Sequence, residues 1–159
     1  MEKDLIYYIN EFEHLNTNVR DGKPFPHKPI LLLSIINLIE VCIITDNKIE
    51  LNDDLNLSFA AIWREYVDPT LRYNCNIALP YFYMDSESFW KLKKSKYYEE
   101  KRSYTEKDLK ANFDFAVLDE ELFDLIKDPS NAIQLRVLLI TKYIAQLYNF
   151  SNKTDNTIF

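Results

Sequence analysis

The sequence predicts a single, mainly α domain with a small antiparallel β-sheet, an α+β arrangement that is winged-helix-like. Three observations carry this expectation. The stretch Pro24 to Leu38, PFPHKPILLLSIINL, passes from prolines, a histidine and a lysine into a run that is apolar nearly all round, the mark of a buried central helix. Flanking segments repeat apolar residues at three- and four-residue steps, as amphipathic helices do. Two short segments around the turn DSES have the pattern of a β-hairpin. With 159 residues, 47% of them hydrophobic, the chain is long enough for one domain with a sizeable core.

Taken in order, Glu2 to Leu15 places Leu5, Ile6, Ile9, Phe12 and Leu15 at helical spacing. Residues 16–25 form a polar loop carrying Arg20 and Lys23. Pro29 suits the first helical position, so a helix is expected from Ile30 to Val41. Thr45 to Asn47 reads as a turn and Lys48 to Leu51 as a short strand. Asn52 and Asp53 are good N-caps for a helix from Asp54 to Tyr66, ended by Asp68-Pro69. Arg72 to Asn76, RYNCN, is a polar loop. Ile77 to Met84 and Phe89 to Leu92 are the expected hairpin strands, with Pro80 at an edge or a bulge. Helices follow at Thr105–Phe113 and Asp119–Lys127, and Pro129 opens a last long one reaching Phe150. The domain spans 1–150, and 151–159 is expected to be a flexible tail.

Composition narrows the function classes. Gly22 is the only glycine, so no Gly-rich phosphate loop is present. Acidic residues near the N-terminus do not suit a signal peptide, and no apolar run reaches membrane-spanning length. Cys42 and Cys75 fit a reduced, cytoplasmic protein. His14, His27, Cys42 and Cys75 form no close pair of metal-ligand spacing, so neither a metal nor another cofactor is expected. The net charge of −6 hides a polarised chain. Lys91 to Arg102 holds six basic and two acidic residues, whereas Asp114 to Asp128 holds six acidic residues and one lysine.

Binding is the function these residues suit. His27 and Lys28 stand at the mouth of the central helix, where free N–H groups and the positive end of the helix dipole favour an anion. Arg20 and Lys23 add cations nearby in sequence, and Arg72 in the RYNCN loop and the lysines after the expected hairpin are further candidates. Tyr73 and Asn74 of the RYNCN loop add an aromatic and a polar group, and further tyrosines stand at Tyr81, Tyr83, Tyr97 and Tyr98. Cations interleaved with aromatics suit nucleic acid. Glu99-Glu100-Lys101 matches by letter the Glu-x-Lys triplet of some metal-dependent nucleases, but in so charged a stretch it reads as a solvated face. The expectation is therefore no enzyme activity.

PHKPILLLSIINLIE, the KIEL segment, F-x-x-x-W, YNCNIALPYFYMDSESFWKL, FAVLDEELFDLIKD and LRVLLITKYI, in that order, resemble the N-terminal domain of bacterial HNH-type restriction endonucleases. The resemblance covers roughly residues 5 to 148. The best-understood relatives are the sulfur-binding domains of type IV restriction enzymes, which recognise phosphorothioate-modified DNA. The resemblance implies that Pro80, with Leu79 and Tyr81 beside it, walls a sulfur pocket, and that His27 and Lys28 are the basic pair holding the same phosphate. It implies a DNA-binding modification reader in bacterial defence, with double-stranded DNA as partner and no membrane. In that family a nuclease domain follows the reader. None is expected here, so a separate nuclease subunit would do the cutting. The alternative is a protein-interaction subunit of a defence system that kept the fold and lost DNA binding. The sequence departs from the family pattern at Leu79, where an aromatic residue is common, in DSES, which lacks a glycine, and in its acidic charge.

Overall fold

The computed structural model describes residues 2–149. The expected tail at 151–159 lies outside them. Helix α1 (Leu5–Glu13) starts at Asp4, whose carboxylate accepts the Tyr7 N–H at 3.0 Å. Helix α2 (His27–Glu40) follows, then α3 (Asp53–Tyr66), α4 (Ala78–Tyr83), α5 (Glu106–Asn112), α6 (Glu120–Ile126) and α7 (Pro129–Leu139). Two antiparallel pairs accompany them: β1 (Val19–Arg20) with β2 (Lys23–Pro24), and β3 (Trp90–Lys94) with β4 (Phe113–Leu118). The α+β class and the single domain core are as the sequence predicts.

Helix α2 is the centre of the core. Its residues from His27 to Ile36 are all buried, and α3, α4, α6 and α7 pack around it. Its one buried hydroxyl, on Ser34, returns a hydrogen bond to the Ile30 carbonyl at 2.7 Å. The helix ends in a Schellman turn: Ile43 N–H donates to Leu38 O and Cys42 N–H to Ile39 O. Cys42 takes the left-handed conformation there, at φ 61°, where a glycine is usual. The helix also begins earlier than expected. Pro26 is the N-cap, so His27 and Lys28 are its first two helical residues and Pro29 its third. None of these three needs an intrahelical N–H partner, which is why a proline fits there.

Several expectations at the β level are corrected. Ile77 to Met84 is not a strand: Ala78–Tyr83 is α4, continued by a 3₁₀ turn over Met84–Ser86. Phe89 to Leu92 does lie in a strand region, but β3 pairs with β4, in register Trp90 to Leu118, and no wing joins 77 to 92. Pro80 is thus neither at a strand edge nor at a bulge. It is the third residue of a helix, as Pro29 is. The loop expected at 16–25 contains the β1–β2 hairpin, turned by Asp21 and Gly22 at φ 55° and 75°. Lys48 to Leu51 contributes only a bridge, Ile49 to Ala116, alongside β4.

The remaining helices keep to their sequence signals. Asn52 caps α3, Thr105 and Asp108 form a capping box on α5, and Pro129 opens α7 behind Asp128. Beyond Leu139 the last helix widens into a π turn, Ile140–Ile144, and tightens into a 3₁₀ turn, Ala145–Tyr148. The π turn carries Tyr143 into the core. Its hydroxyl donates to Phe12 O and accepts Leu15 N–H, tying down the end of α1.

If α2 organises the core, truncating Ile35, which is fully buried, should cost about 2–5 kcal/mol in the Ile35→Ala variant. Leu57→Ala, on the exposed face of α3, should stay within about 0.5 kcal/mol. Denaturant unfolding of both checks this, and equal losses would contradict it.

Candidate nucleic-acid interface

The buried helix delivers its first turn to a cleft of about 530 Å³. One wall comes from Asn16, Thr17 and Asn18 with the Phe25 ring. The floor is His27 and Lys28. The opposite wall is Leu79, Pro80 and Tyr83 from α4, with Ser86 beyond them. The β1–β2 hairpin sets the first wall, since Phe25 N–H donates to Asn18 O at 2.8 Å and closes the strand pair.

The helical state of α4 decides which side chains reach the cleft. A strand would put Leu79 and Tyr81 on one face and Pro80 on the other. In a helix, Leu79, Pro80 and Tyr83 share a face through their one-, three- and four-residue spacings. Tyr81 points away, into the core. Its hydroxyl donates to Ile49 O at 2.7 Å and its ring meets Trp90 edge-on. Tyr81 is therefore no pocket wall, and Tyr83 takes that place.

The floor carries less free charge than its residue types suggest. Lys28 is buried, and its ammonium lies 2.6 Å from Glu87 Oε2 and 3.1 Å from Ser86 Oγ. His27 is buried against Trp63, with ring centroids 4.7 Å apart, and its Nε2–H donates to Asn74 O at 2.7 Å. Burial lowers its pKa below the ordinary value of 6.5, and the Asn74 bond offsets part of that. His27 is thus neutral at pH 7. The backbone N–H groups of His27 and Lys28 have no partner among the described residues, as the first turn of a helix dictates.

The other candidates lie around this floor. The Arg20 guanidinium stacks on the Tyr73 ring at 3.8 Å, lies 5.8 Å from the Phe25 ring and donates to Leu71 O. The Tyr73 ring meets Phe25 edge-on at 5.1 Å, so Arg20, Tyr73, Phe25 and His27 form one aromatic–cation cluster. Lys23 donates to Leu147 O at 3.2 Å. Arg72 is exposed, in the left-handed conformation at φ 58°, and its side chain makes no hydrogen bond or ion pair among the described residues. Asn74 is exposed too, and holds His27 through its carbonyl.

The basic stretch after β3 does not line the cleft. Lys94 and Lys96 lie over Tyr98 and Tyr97, and Lys101 pairs with Asp108 at 3.0 Å. The Glu-x-Lys triplet is thus partly tied up in holding the start of α5. No cluster of three or more His, Cys, Asp or Glu able to hold a metal occurs among the described residues. Cys42 and Cys75 are free and exposed. No helix among those residues is long and apolar enough to cross a membrane. Glu87, Phe25 and Asn16 to Asn18 line or support the cleft without a signal of that role in the sequence. Asn16 to Asn18 and Phe25 looked like plain loop, and Glu87 meets Lys28 across 59 positions, a pairing no local pattern reveals.

A neutral, buried His27 binds no proton where the unfolded chain's histidine does. Stability is therefore full above about pH 6.5 and falls as pH drops below it, until the folded-state pKa is reached. Denaturant midpoints at about pH 7.5 and 5.5 should show a larger loss for the wild type than for His27→Gln, in which this contribution is absent. An identical loss in both would mean that His27 takes up its proton as readily in the folded state as in the unfolded chain.

No family model matches the chain, and no curated protein matches it either. Among solved structures it is similar to the sulfur binding domain of ScoMcrA complexed with phosphorothioated DNA. The TM-score is 0.67, the likeness covers 93% of each chain, and the two are 18% identical. The likeness extends over nearly the whole of both chains, so this protein has the fold of that sulfur-binding domain.

Proposed function

We propose that the protein binds double-stranded DNA and reads a phosphorothioate in its backbone, in a cytoplasmic bacterial defence setting, without cutting the DNA itself. The observation that carries this reading is the cleft. An apolar wall, Leu79 and Pro80, faces the first turn of α2 in a fold shared with a domain solved on phosphorothioated DNA. Sulfur in place of a non-bridging oxygen is larger, more polarizable and a poorer hydrogen-bond acceptor. It loses little by leaving water for an apolar wall, where a hydrated oxygen loses much. The N–H groups of His27 and Lys28 face the remaining oxygens, in the manner of a helix N-terminus holding a phosphate. Arg72, Lys23 and the stacked Arg20 contact flanking phosphates and supply most of the affinity. A nuclease acting in trans would complete the defence function.

A second reading is favoured by one observation: the floor holds no unbalanced cation. A protein-interaction subunit that lost DNA binding would have no need of one.

Matched duplexes with and without one phosphorothioate, each at two salt concentrations, test the proposal. Binding should weaken steeply with salt. Contact between sulfur and some tens of Å² of wall, at roughly 25 cal/mol per Å², gives a preference of about 1 kcal/mol, several-fold in affinity. Pro80→Gly should erase that preference and keep the salt-dependent binding. Arg72→Ala should weaken both duplexes and lower the salt slope by about one. Binding to neither duplex at low salt would favour the interaction subunit. Equal weakening of both by a folded Pro80→Gly would refute the sulfur wall.

The purified protein should leave both duplexes uncut in Mg²⁺ or Mn²⁺ over hours. Cleavage abolished by Lys101→Ala would contradict this and revive the Glu-x-Lys reading.

A further inference from the structure

Glu87 sits in the short segment between α4 and β3, with its carboxylate buried beneath the cleft floor. A single oxygen, Oε2, takes the Lys28 ammonium at 2.6 Å and the Asn16 backbone N–H at 2.9 Å. Ser86, the residue before it, gives Lys28 a second acceptor at 3.1 Å. The Lys28 and Glu87 side chains are only 7% and 6% exposed. Thus one segment satisfies Lys28 and balances its charge before any ligand arrives. Glu87 also joins the two sides of the cleft, because Asn16 belongs to the opposite wall.

We propose that Glu87 is the specificity-determining residue of the cleft: by balancing Lys28 it withholds a cation from an ordinary phosphate and leaves the choice to the apolar wall. This rests on the DNA reading above. Specificity is a difference of affinities. An unpaired ammonium at the floor would attract the charge of any phosphate, modified or not, and raise both affinities together. It would also repay a hydrated oxygen for entering, since charge-assisted hydrogen bonds are the strong ones. With the ammonium paired, that repayment is absent. Only a group that gains from Leu79 and Pro80 is then favoured. Glu87 acts through Lys28 and does not itself line the cleft.

The test is titration of the whole chain with the matched duplexes, one phosphorothioated and one not, at two salt concentrations. Glu87→Gln frees Lys28. It should raise affinity for the unmodified duplex several-fold, shrink the preference for the modified one, and steepen the salt slope by about one phosphate contact. Glu87→Asp should keep the wild-type preference. The double variant Lys28→Met/Glu87→Gln restores a neutral floor and should also keep the wild-type preference and slope. A folded Glu87→Gln that changes nothing, or weakens both duplexes equally, overturns the proposal. Should Glu87→Gln not fold, the double variant decides. Retained preference supports the proposal, whereas a lost preference with a shallower slope shows Lys28 engaging phosphate directly and overturns it. Wild-type binding to neither duplex overturns the DNA reading and this role with it. A normal wild-type preference with unresponsive variants overturns the role of Glu87 alone.

Discussion

The burial of α2 on every side is the constraint from which the rest follows. A helix apolar all round has no face to give to water, so other elements must cover all of it. Here α3, α4, α6 and α7 do so, and the β1–β2 hairpin stands at its N-terminal end. A buried helix still has to terminate somewhere, and its first N–H groups have no partner inside it. Proline at positions 26 and 29 removes two of these donors, which leaves those of His27 and Lys28 at the cleft. The core and the site are therefore one arrangement: the packing that hides Ile30 to Ile36 also fixes the floor.

Much of the helical frame is legible in the sequence, because its signals are local. Asn52, the Thr105–Asp108 box and Pro129 each mark a start that depends on residues within four positions. The β elements depend on distant partners and are less legible. β3 pairs with β4, some twenty residues on, across α5, rather than with the apolar run just before it. IALPYFYM is short, aromatic and apolar, and such a run does not separate strand from helix by periodicity. What decides it is α4 packing on α2, a tertiary fact. Asp21-Gly22 was the missed local signal, since Asp-Gly is a favoured hairpin turn.

The candidate site divides the same way. His27, Lys28, Leu79 and Pro80 do share one cleft, although two lie on α2 and two on α4. Tyr81, which the resemblance places beside Pro80 in the pocket, is turned inward by the helix. Lys28 could be identified as a cation but not as a paired one, because Glu87 lies far along the chain in a segment that reads as a turn. The same applies to His27, whose neutrality comes from its burial against Trp63, a residue far along the chain. Residue type predicts a basic mouth. Packing makes it a nearly neutral, partly apolar one, while Arg72 outside the cleft stays exposed. In a chain of net charge −6, that distribution matters more than the total.

The central claim is that the backbone group of a modified duplex seats against Leu79 and Pro80. Leucine methyl NMR on the protein titrated with a phosphorothioated duplex addresses this at the level of single side chains. The Leu79 methyl signals should shift strongly, and more than with the unmodified duplex, while those of Leu31, buried inside α2, stay in place. Unmoved Leu79 methyls at saturation, with the shift confined to Leu92 on the lysine-rich strand β3, would place the DNA elsewhere and contradict the account.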